Sequence, residues 1–510
     1  MRVDEENEAG VFTDPRMRRE FPAGPKELVF GFVGAVGTDL DYVAKTLQEL
    51  LRLYSFKSVE IKVSRDIIAG MLKEALPEDA FSRTEALMNE GNNLRKKTGE
   101  NAVFALAISS LVNNLRTAGN TGELSPLDRT AFVVHSLKHP EEIEKLRETY
   151  SVGLYVVGVF ADRKSRLKAL TLKGMTPEQA EILIDRDEGE KVAYGQKTRD
   201  AFQRSDFFVS FDSDIAALQN QLLRILDAIF GYPYLSPTFD EFAMFMAFSS
   251  ALRSADLSRQ VGAVITKDQS IIATGANDIP RAGGGLYWPE VDGSFEITDS
   301  PNGRDYCRGK DSNKEEKIKI VDDIAQRLID EGLVAASCGE SVRKILEKSR
   351  IKDITEYGRV VHAEMEAILA AGRQGISLKG TTLFCTTFPC HNCTKHLIAA
   401  GIARVVYVEP YPKSKAFEFH DDAICEGGNS VSEKVVFEPF MGIGARNFFN
   451  LFSMTMGRGI KLERKNSEGR IRDWAREAAD IRVPNFYISL FDRELSDEQY
   501  LKDLLKLVET

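Results

Sequence analysis

The stretch TTLFCTTFPCHNCTKHLIAAGIARVVYV, residues 381–408, predicts a strand, a helix and a second strand in immediate succession. The apolar run over 381–386 is typical of a buried strand. Pro389 suits the start of a helix over 391–400, because its missing N–H has no intrahelical partner to lose there. The apolar residues at 403–408 predict the strand that follows. Two cysteines stand at the start of that helix, and they indicate what the stretch does.

Cys390 and Cys393 are three residues apart, so they share one face of a helix. A helix N-terminus stabilises thiolates, and the thiolate is the form of cysteine that binds zinc. His362 opens a predicted helix over 362–372 and can supply a third ligand. Three protein ligands leave the fourth tetrahedral position for water, as in catalytic zinc sites. Glu364, two residues from His362, can then move a proton between that water and a leaving group.

HAE at 362–364 and PCHNC at 389–393 together form the H-x-E…P-C-x-x-C signature of the zinc deaminases. In that chemistry, hydroxide attacks C4 of cytosine or C6 of adenine. We therefore predict Zn²⁺ as the cofactor and Glu364 as the catalytic residue. The alternative is a zinc site that only joins two helices. It requires a fourth ligand, for which the candidates are Cys385, His391 and His396.

The patterning of the chain predicts an α/β protein with two domains. Strand patterns alternate with amphipathic helices in the first domain, which predicts a parallel sheet covered on both faces. For the second domain we predict a three-layer α/β/α arrangement. A stretch with two prolines and a glycine separates them. The predicted segments are a polar stretch at 1–25, a first domain at 26–232, a second domain at 240–455 with an insertion at 280–350, and a tail at 456–510 that ends in a helix at 496–508.

The glycine-rich turn GFVGAVGTD (31–39) follows a strand and precedes a helix, which is the context of a phosphate-cradling loop. The candidate nucleotide-binding residues are Gly31, Gly34, Gly37, Thr38 and Asp39. Thr38 stands where a P-loop has its lysine, so the loop lacks the charge for the β- and γ-phosphates. Thr38 or Asp39 can still approach Mg²⁺ or cap the helix. The sequence favours nucleotide binding over hydrolysis here, and the alternative is a sheet domain used for assembly or regulation.

Four stretches resemble the deoxycytidylate deaminase family: SRQVGAVIT (258–266), IIATGAN (271–277), VHAEMEAI (361–368) and LFCTTFPCHNC (383–393). The resemblance implies that Arg259 and Asn277 contact the nucleotide. It also implies that Tyr411 and Lys413, in EPYPKS after the next strand, lie near the sugar and the phosphate. The chemistry of these side chains agrees in part with the implied roles. Asn offers both a donor and an acceptor to a sugar or base, and Arg and Lys suit phosphate.

Nearly the whole chain is similar to the bacterial anti-phage dCTP deaminases, in which a P-loop kinase-like domain precedes the deaminase domain. HSLKHPEEIEKLRETY (135–150) and EPFMGIGARNFFNLFSM (438–454) add to this resemblance. It implies deamination of dCTP and dCMP during infection, so that loss of dCTP limits phage DNA synthesis. It also implies control by a regulatory RNA or an infection signal, and a homo-oligomer for which the insertion is a candidate contact surface.

The charge balance favours a free nucleotide as substrate. Lys and Arg number 67 and Asp and Glu number 77, which gives a net charge of −10. Binding along a polynucleotide rests on many Lys and Arg contacts with phosphates. Two alternatives stay open: a polynucleotide-editing deaminase, which has the same zinc motif, and a nucleotide- or RNA-sensing protein whose first domain gates the deaminase.

The opening MRVDEENEAG is acidic and polar, unlike a secretory signal peptide. The apolar runs fall short of the ~20 residues that span a bilayer. We therefore expect a cytoplasmic protein without membrane contact. Among the remaining cysteines, Cys307, Cys338 and Cys425 have no spacing partner and receive no role.

Overall fold

The apolar runs predicted as strands form two six-stranded sheets in a computed structural model of the chain. The residues that it describes are 26–71, 75–120, 125–189, 194–409, 414–427, 433–484 and 487–509. Within these residues the strands are β1 (Glu27–Gly34), β2 (Lys57–Lys62), β3 (Thr130–His135), β4 (Leu154–Phe160), β5 (Phe207–Ser210), β6 (Gly262–Lys267), β7 (Ser270–Ala276), β8 (Glu290–Val291), β9 (Ile297–Thr298), β10 (Thr382–Thr387), β11 (Arg404–Glu409), β12 (Ile424–Glu426), β13 (Val435–Pro439) and β14 (Gly442–Ile443).

The helices of the same described residues lie between these strands and at the carboxyl end. They are α1 (Leu40–Leu51), α2 (Ala69–Met71), α3 (Ala80–Thr98), α4 (Val103–Gly119), α5 (Pro140–Tyr150), α6 (Arg163–Leu172), α7 (Pro177–Gly189), α8 (Thr198–Phe202), α9 (Ile215–Ile229), α10 (Phe239–Ala251), α11 (Asp305–Arg308), α12 (Ser312–Asp330), α13 (Gly339–Lys348), α14 (Ala363–Arg373), α15 (His391–Ala400), α16 (Ala416–Phe419), α17 (Phe448–Phe452) and α18 (Tyr487–Glu509).

The first sheet has the order β14-β5-β4-β1-β3-β2, and β1 to β5 run parallel. Every residue of β1 and β3 is buried, because helices cover both faces of a parallel sheet. Leu47 of α1 and Leu222 of α9 pack on one face. Ile108 of α4 and Leu146 of α5 pack on the other. The α/β class predicted for this part of the chain is confirmed.

The second sheet has the order β12-β13-β11-β10-β6-β7. β10 to β13 run parallel, whereas β6 and β7 are antiparallel to their neighbours. Ala367 of α14 and Leu397 of α15 pack on one face, and Met244 of α10 packs on the other. These helices and the sheet form three layers. α14 contacts α15, so the two helices that carry the sequence motif lie side by side.

The chain after the second sheet returns to the first sheet. β14 pairs antiparallel with β5, and Leu451 and Ile481 join the core of the first sheet. α18 packs against α4 and buries Leu501. It begins at Tyr487, before the predicted 496. Apolar residues of the polar segment predicted as a tail at 456–510, among them Ile481 and Leu501, are thus buried against the first sheet and its helices.

Two units can be defined from this packing: a first unit, residues 26–230, and a second unit, residues 239–440. Phe208 of β5 packs in one cluster with Met244 of the second unit. The predicted insertion at 280–350 holds the β8–β9 hairpin and the helices α11 to α13. The placement of domain boundaries and the oligomeric state stay predictions.

Two strands of the second sheet approach helices so closely that only glycine fits. A Cβ atom at Gly275 of β7 would lie 2.1 Å from the Ala363 carbonyl oxygen and 2.5 Å from the Ala367 nitrogen, both in α14. A Cβ atom at Gly262 of β6 would lie 1.9 Å from the Ala247 carbonyl oxygen in α10. Gly275 therefore allows α14, which follows His362, to lie directly on the sheet, and Gly262 does the same for α10.

Gly275→Ala is expected to displace α14 and to lower the free energy of unfolding by about 1–3 kcal/mol or more, as overpacking does. Urea unfolding measures this change. Gly293→Ala is the matched control, since a Cβ there meets no atom within 4 Å. Equal midpoints for the two variants would contradict the close approach of helix and strand.

Among the described residues, no helix combines the length and the apolar character needed to cross a bilayer.

Candidate zinc site and nucleotide pocket

Three side chains of the predicted metal site meet where α14 and α15 begin. His362 is the N-cap residue of α14 and Cys390 is the N-cap residue of α15. The Nδ1 atom of His362 lies 3.5 Å from the Sγ atom of Cys390 and 3.3 Å from the Sγ atom of Cys393. All three potential ligand atoms lie within 4.8 Å of one another. One His and two Cys suit a tetrahedral zinc ion.

The surroundings of the two thiols favour one thiolate even without a metal. A hydrogen bond from the Cys393 thiol lowers the pKa of the Cys390 thiol to about 3, and His362 acts in the same direction. The Cys393 backbone N–H also donates to the Cys390 Sγ atom at 3.4 Å. The pKa of His362 is raised, first by its hydrogen bond with Cys390. Zinc binds the deprotonated forms of Cys and neutral His, so Cys390 is already in the form that zinc requires, whereas Cys393, whose thiol pKa is raised by its hydrogen bond with Cys390, and His362 have to release protons when the ion binds.

Glu364 lies in the first turn of α14 with only 4% of its surface exposed. Burial raises the pKa of its carboxyl group, and the charge of His362 opposes that shift. The same pocket is lined by Glu364, His362 and Cys390. The helix thus places a carboxyl group next to the predicted zinc ligands, where a proton acceptor and donor is needed.

The candidates for a fourth protein ligand lie outside the group of described ligand atoms that could hold one ion. Within the described residues, the metal-ligating group contains only His362, Cys390 and Cys393. Cys385 is buried in β10. The His391 ring packs edge-on against Phe419, with 5.7 Å between the ring centres. The Nδ1 atom of His396 is 2.7 Å from the Asn392 carbonyl oxygen. A purely structural four-ligand site finds no support in this part of the chain.

A pocket of about 590 Å³ opens beside the ligands, within the usual range for small-molecule sites. Four cations line it, of which Arg359 pairs with Asp305 and Lys415 pairs with Glu418, at 2.6 and 2.8 Å. The Arg350 guanidinium, on the first residue of the 3-10 turn Arg350–Asp353, has no hydrogen bond or ion pair with the described residues. The fourth cation is Arg259, and these cations share the pocket with six acidic side chains, of which Asp305 and Glu418 are the partners just named.

Sequence reasoning missed Arg350, Arg359 and Lys415. Arg350 follows the charged helices of the insertion, where an arginine that lines a pocket has the same local pattern as a solvated one. Asp305 and Asn313 of the insertion also line the pocket. The insertion, for which the sequence predicted only a contact surface, thus forms part of the wall of the site.

The predicted substrate residues Arg259 and Asn277 both line the pocket. Arg259 is half exposed, and its Nη1 atom lies 3.9 Å from Glu409. Asn277 is buried, and its side chain holds the neighbouring backbone: it donates to the Arg259 carbonyl at 2.9 Å and accepts from the Val261 N–H at 2.6 Å. One amide hydrogen and one lone pair of Asn277 are left over for a ligand. Tyr411 and Lys413 lie outside the described residues.

The glycine-rich turn has a different environment from an open phosphate loop. Gly31 and Gly34 are buried within β1. Gly37 has a φ of 90°, and an added Cβ atom there would lie 2.8 Å from Arg166. The side chain of Thr38 is buried. The turn is therefore packed under α6.

An internal carboxylate already accepts from one backbone N–H of this turn. Asp187 accepts from the Val36 N–H at 2.8 Å and from the Nζ atom of Lys138 at 3.1 Å. Asp39 caps α1 by accepting from the Tyr42 N–H at 3.2 Å, which is one of the two roles predicted for it. The arrangement gives the turn a structural partner. Nucleotide and Mg²⁺ binding at this turn stay predictions.

Residues 237–409, which contain the motif, are similar to known deaminases. The family model for the cytidine and deoxycytidylate deaminase zinc-binding region matches residues 237–409. The deoxycytidylate deaminase of Enterobacteria phage T4 is 32% identical over 174 residues, which are 33% of this chain and 77% of that protein. The corresponding protein of Enterobacteria phage T2 is 32% identical over 172 residues, 33% of this chain and 79% of that protein.

Among solved structures, the apo dCMP deaminase from the cyanophage S-TIM5 matches with 18% identity and a TM-score of 0.22, over 40% of this chain and 100% of that chain. The residues matched by the family model include the three predicted zinc ligands, Glu364, Arg259 and Asn277. The first unit lies outside the matched range.

Proposed function

The chain belongs to the deoxycytidylate deaminase family of hydrolases that act on C–N bonds, and from that premise we propose that it deaminates free deoxycytidine nucleotides. The reactions are dCMP to dUMP and dCTP to dUTP. The observation that carries the proposal is the group of His362, Cys390 and Cys393 beside the buried carboxyl of Glu364 in one pocket. The names of the phage relatives support dCMP as a substrate.

We assign His362, Cys390 and Cys393 as the ligands of Zn²⁺. When bound, zinc supplies the Lewis acidity that makes water a nucleophile near neutral pH. The protein then has to accept a proton from the attacking water and supply one to the leaving amino group. Water that adds to C4 of cytosine loses a proton, and the amino group that leaves as ammonia gains one. Glu364 is assigned to both transfers, because a positioned carboxyl can accept a proton and return it.

The cations of the pocket support a phosphorylated substrate. Arg259 and Arg350 face the same space as the ligands, and guanidinium groups bind phosphate through charge-assisted hydrogen bonds. Lys415 adds charge once its pairing with Glu418 is exchanged for phosphate. The roles of Asn277, Tyr411 and Lys413 in binding the sugar and phosphate are part of the same proposal and rest on the family resemblance.

The wider biological role is proposed from resemblance alone. It consists of anti-phage defence by removal of dCTP, under the control of an RNA or an infection signal, by a cytoplasmic homo-oligomer. The proposal for the first unit includes a nucleotide, with Mg²⁺, at a P-loop-like turn. The Asp187 carboxylate that faces this turn favours the alternative of a regulatory or assembly role for the first unit.

A substrate panel tests the proposal. The purified full-length chain, with its zinc content measured, is incubated with dCMP, dCTP, CTP, deoxycytidine and a cytosine-containing single strand. We expect kcat/KM for dCMP and dCTP to exceed that for deoxycytidine by about tenfold or more, since a hydrogen bond to a charged group contributes about 1.5–3 kcal/mol. The proposal is contradicted if the zinc-loaded protein deaminates the single strand but none of the free nucleotides. It is also contradicted if the zinc-loaded protein deaminates none of these substrates.

A further inference from the structure

A short segment, residues 359–361, leads the chain into His362 at the start of α14. Val361 is the residue directly before this predicted ligand. Its N–H donates to the Asp278 carbonyl at 3.0 Å, and its carbonyl accepts from the Asp278 N–H at 3.3 Å. The two residues thus form an antiparallel bridge, and the position of His362 depends on the backbone at Asp278.

A buried arginine of the insertion pairs with the side chain of Asp278. The Nη2 atom of Arg304 lies 3.3 Å from the Asp278 Oδ2 atom, and the two side chains are 6% and 2% exposed. The Asp278 Oδ1 atom accepts from the Ile279 N–H at 2.8 Å. Burial raises the pKa of the Asp278 carboxyl group, whereas that hydrogen bond and the charge of Arg304 lower it. Arg304 therefore favours the charged form of a buried carboxyl group.

Arg304 is itself fixed by contacts within the insertion. Its Nη1 atom donates to Asp299 at 3.0 Å, and its Nη2 atom donates to the Tyr287 carbonyl at 2.6 Å. Arg304 is not among the described residues that line the pocket, although Asp305, the next residue, is. Any effect of Arg304 on the zinc site must therefore pass through other residues.

The neighbours of Arg304 link the insertion to the same short segment a second time. The Nη1 atom of Arg359 donates to Asp305 at 2.6 Å, and its Nη2 atom donates to the Gly303 carbonyl at 2.9 Å. Arg359 lies three residues before His362. Residues 303–305 of the insertion therefore contact the segment directly at Arg359 and, through Asp278, at its last residue.

We propose that Arg304 is a positioning residue for the zinc ligand His362. Its ion pair holds Asp278 in place, and the bridge from Asp278 to Val361 then fixes where α14 begins. His362 thereby faces the two cysteines of the site. The insertion supports the metal site in this way, in addition to forming part of the pocket wall. This inference rests on the proposed function, since it takes His362 as a ligand of Zn²⁺.

Arg304→Met tests this role in the full-length chain, because it removes the cation paired with Asp278 and keeps much of the side-chain volume. We expect the affinity for Zn²⁺ to fall about tenfold, within the range of about 10–100-fold found when a group that supports a metal ligand is replaced. Zinc-free protein is titrated with Zn²⁺ against a competing chelator, at a temperature where circular dichroism shows each variant to be folded. Arg308→Met, on the exposed surface of α11, is the matched control and should keep the wild-type affinity.

The visible absorption spectrum of Co²⁺ bound in place of zinc reports the geometry of the ligands. At saturating Co²⁺, the spectrum of Arg304→Met should differ from that of the wild type, because His362 is displaced. The spectrum of Arg308→Met should be unchanged. If Arg304→Met fails to fold, Arg304→Lys serves instead. Lysine keeps the charge but lacks the planar fork that reaches several acceptors at once, so both the affinity and the spectrum should still change.

A double-mutant cycle with Asp278→Asn separates positioning from general damage. The amide keeps an oxygen for the Ile279 N–H but carries no charge for Arg304 to balance. In the Asp278→Asn background, Arg304→Met should therefore change the zinc affinity by less than about twofold. A role of Arg304 that is confined to its bonds with Asp299 and the Tyr287 carbonyl would keep its full effect in that background.

Two results overturn the inference: a wild-type zinc affinity and cobalt spectrum in Arg304→Met, or a loss of zinc affinity of equal size in the Asp278→Asn background. Either result leaves the deaminase proposal standing when the wild-type chain is active. A wild-type chain that binds zinc but deaminates no cytosine nucleotide overturns the proposed function, and the zinc affinities then decide the role of Arg304 on their own.

Discussion

Glu364→Gln is expected to lower kcat for dCMP deamination by about 10²–10⁴-fold, the contribution typical of a positioned general acid and base. The amide has nearly the shape of the carboxyl, so it fits the same buried position in α14. It cannot accept the proton of the attacking water and return it to the amino group. His362, Cys390 and Cys393 are unchanged, so zinc content per chain should equal that of the wild type.

The measurement is a single-turnover and steady-state assay with zinc determined on the same samples. Glu366→Gln is the control, because Glu366 is also buried in α14 but pairs with Arg373 at 2.6 Å. It should keep most of the activity. An active Glu364→Gln variant would remove Glu364 from the proton transfers. Loss of zinc from that variant would instead indicate that the carboxyl supports the metal site.

Arg116→Met is expected to give the largest loss of stability, about 3–5 kcal/mol, as when one partner of a buried ion pair is removed. The Arg116 side chain has no exposed surface, and it pairs with Glu27 of β1 at 2.6 Å and with Glu494 of α18. Methionine fills much of the volume but leaves two buried carboxylates without a cation. We therefore expect α18 to loosen from α4.

Urea unfolding and hydrogen exchange in α18 measure this effect. Arg327→Met is the control, since Arg327 is 76% exposed and pairs with Asp323 one turn away on the surface of α12. Surface pairs of that kind contribute about 0–1 kcal/mol. Similar midpoints for the two variants, with unchanged exchange in α18, would show that the cluster does not hold the helix.

The sequence predicted those features that depend on short spacings. Apolar runs fixed the positions of β1, β3 and β4, because a buried parallel strand is apolar along its whole length. Cys390 and Cys393 share a helix turn, so their proximity follows from helix geometry. The position of His362 beside the two cysteines was predicted from the H-x-E…P-C-x-x-C signature, in which these three residues occur together. The structure brings these residues together as the pattern indicates.

Other features depend on partners that are distant in the chain. Arg116 pairs with Glu27 and Glu494, which are 89 and 378 residues away in the sequence. No local sequence pattern predicts an ion-pair triad of this kind. Asp187 of α7 accepts from the Val36 N–H of the glycine-rich turn, a contact that the motif does not reveal. Asn277 has a turn-like context in sequence, but its amide holds the backbone on both sides of Gln260. Tertiary packing decides all three.

Because the chain returns to the first sheet after the second unit, the second unit is inserted within the sequence of the first unit. The polypeptide leaves the first unit after α9 and re-enters it at β14, so two covalent crossings join the units. A fragment beginning near residue 240 would carry β14 and α18 without the strand β5 and helix α4 that receive them. The apolar surfaces of β14 and α18 would then be exposed, and exposed apolar patches promote aggregation. The first unit is therefore isolated by removing residues 231–441 and joining residue 230 to residue 442 through a linker, which keeps β14 and α18 with β5 and α4.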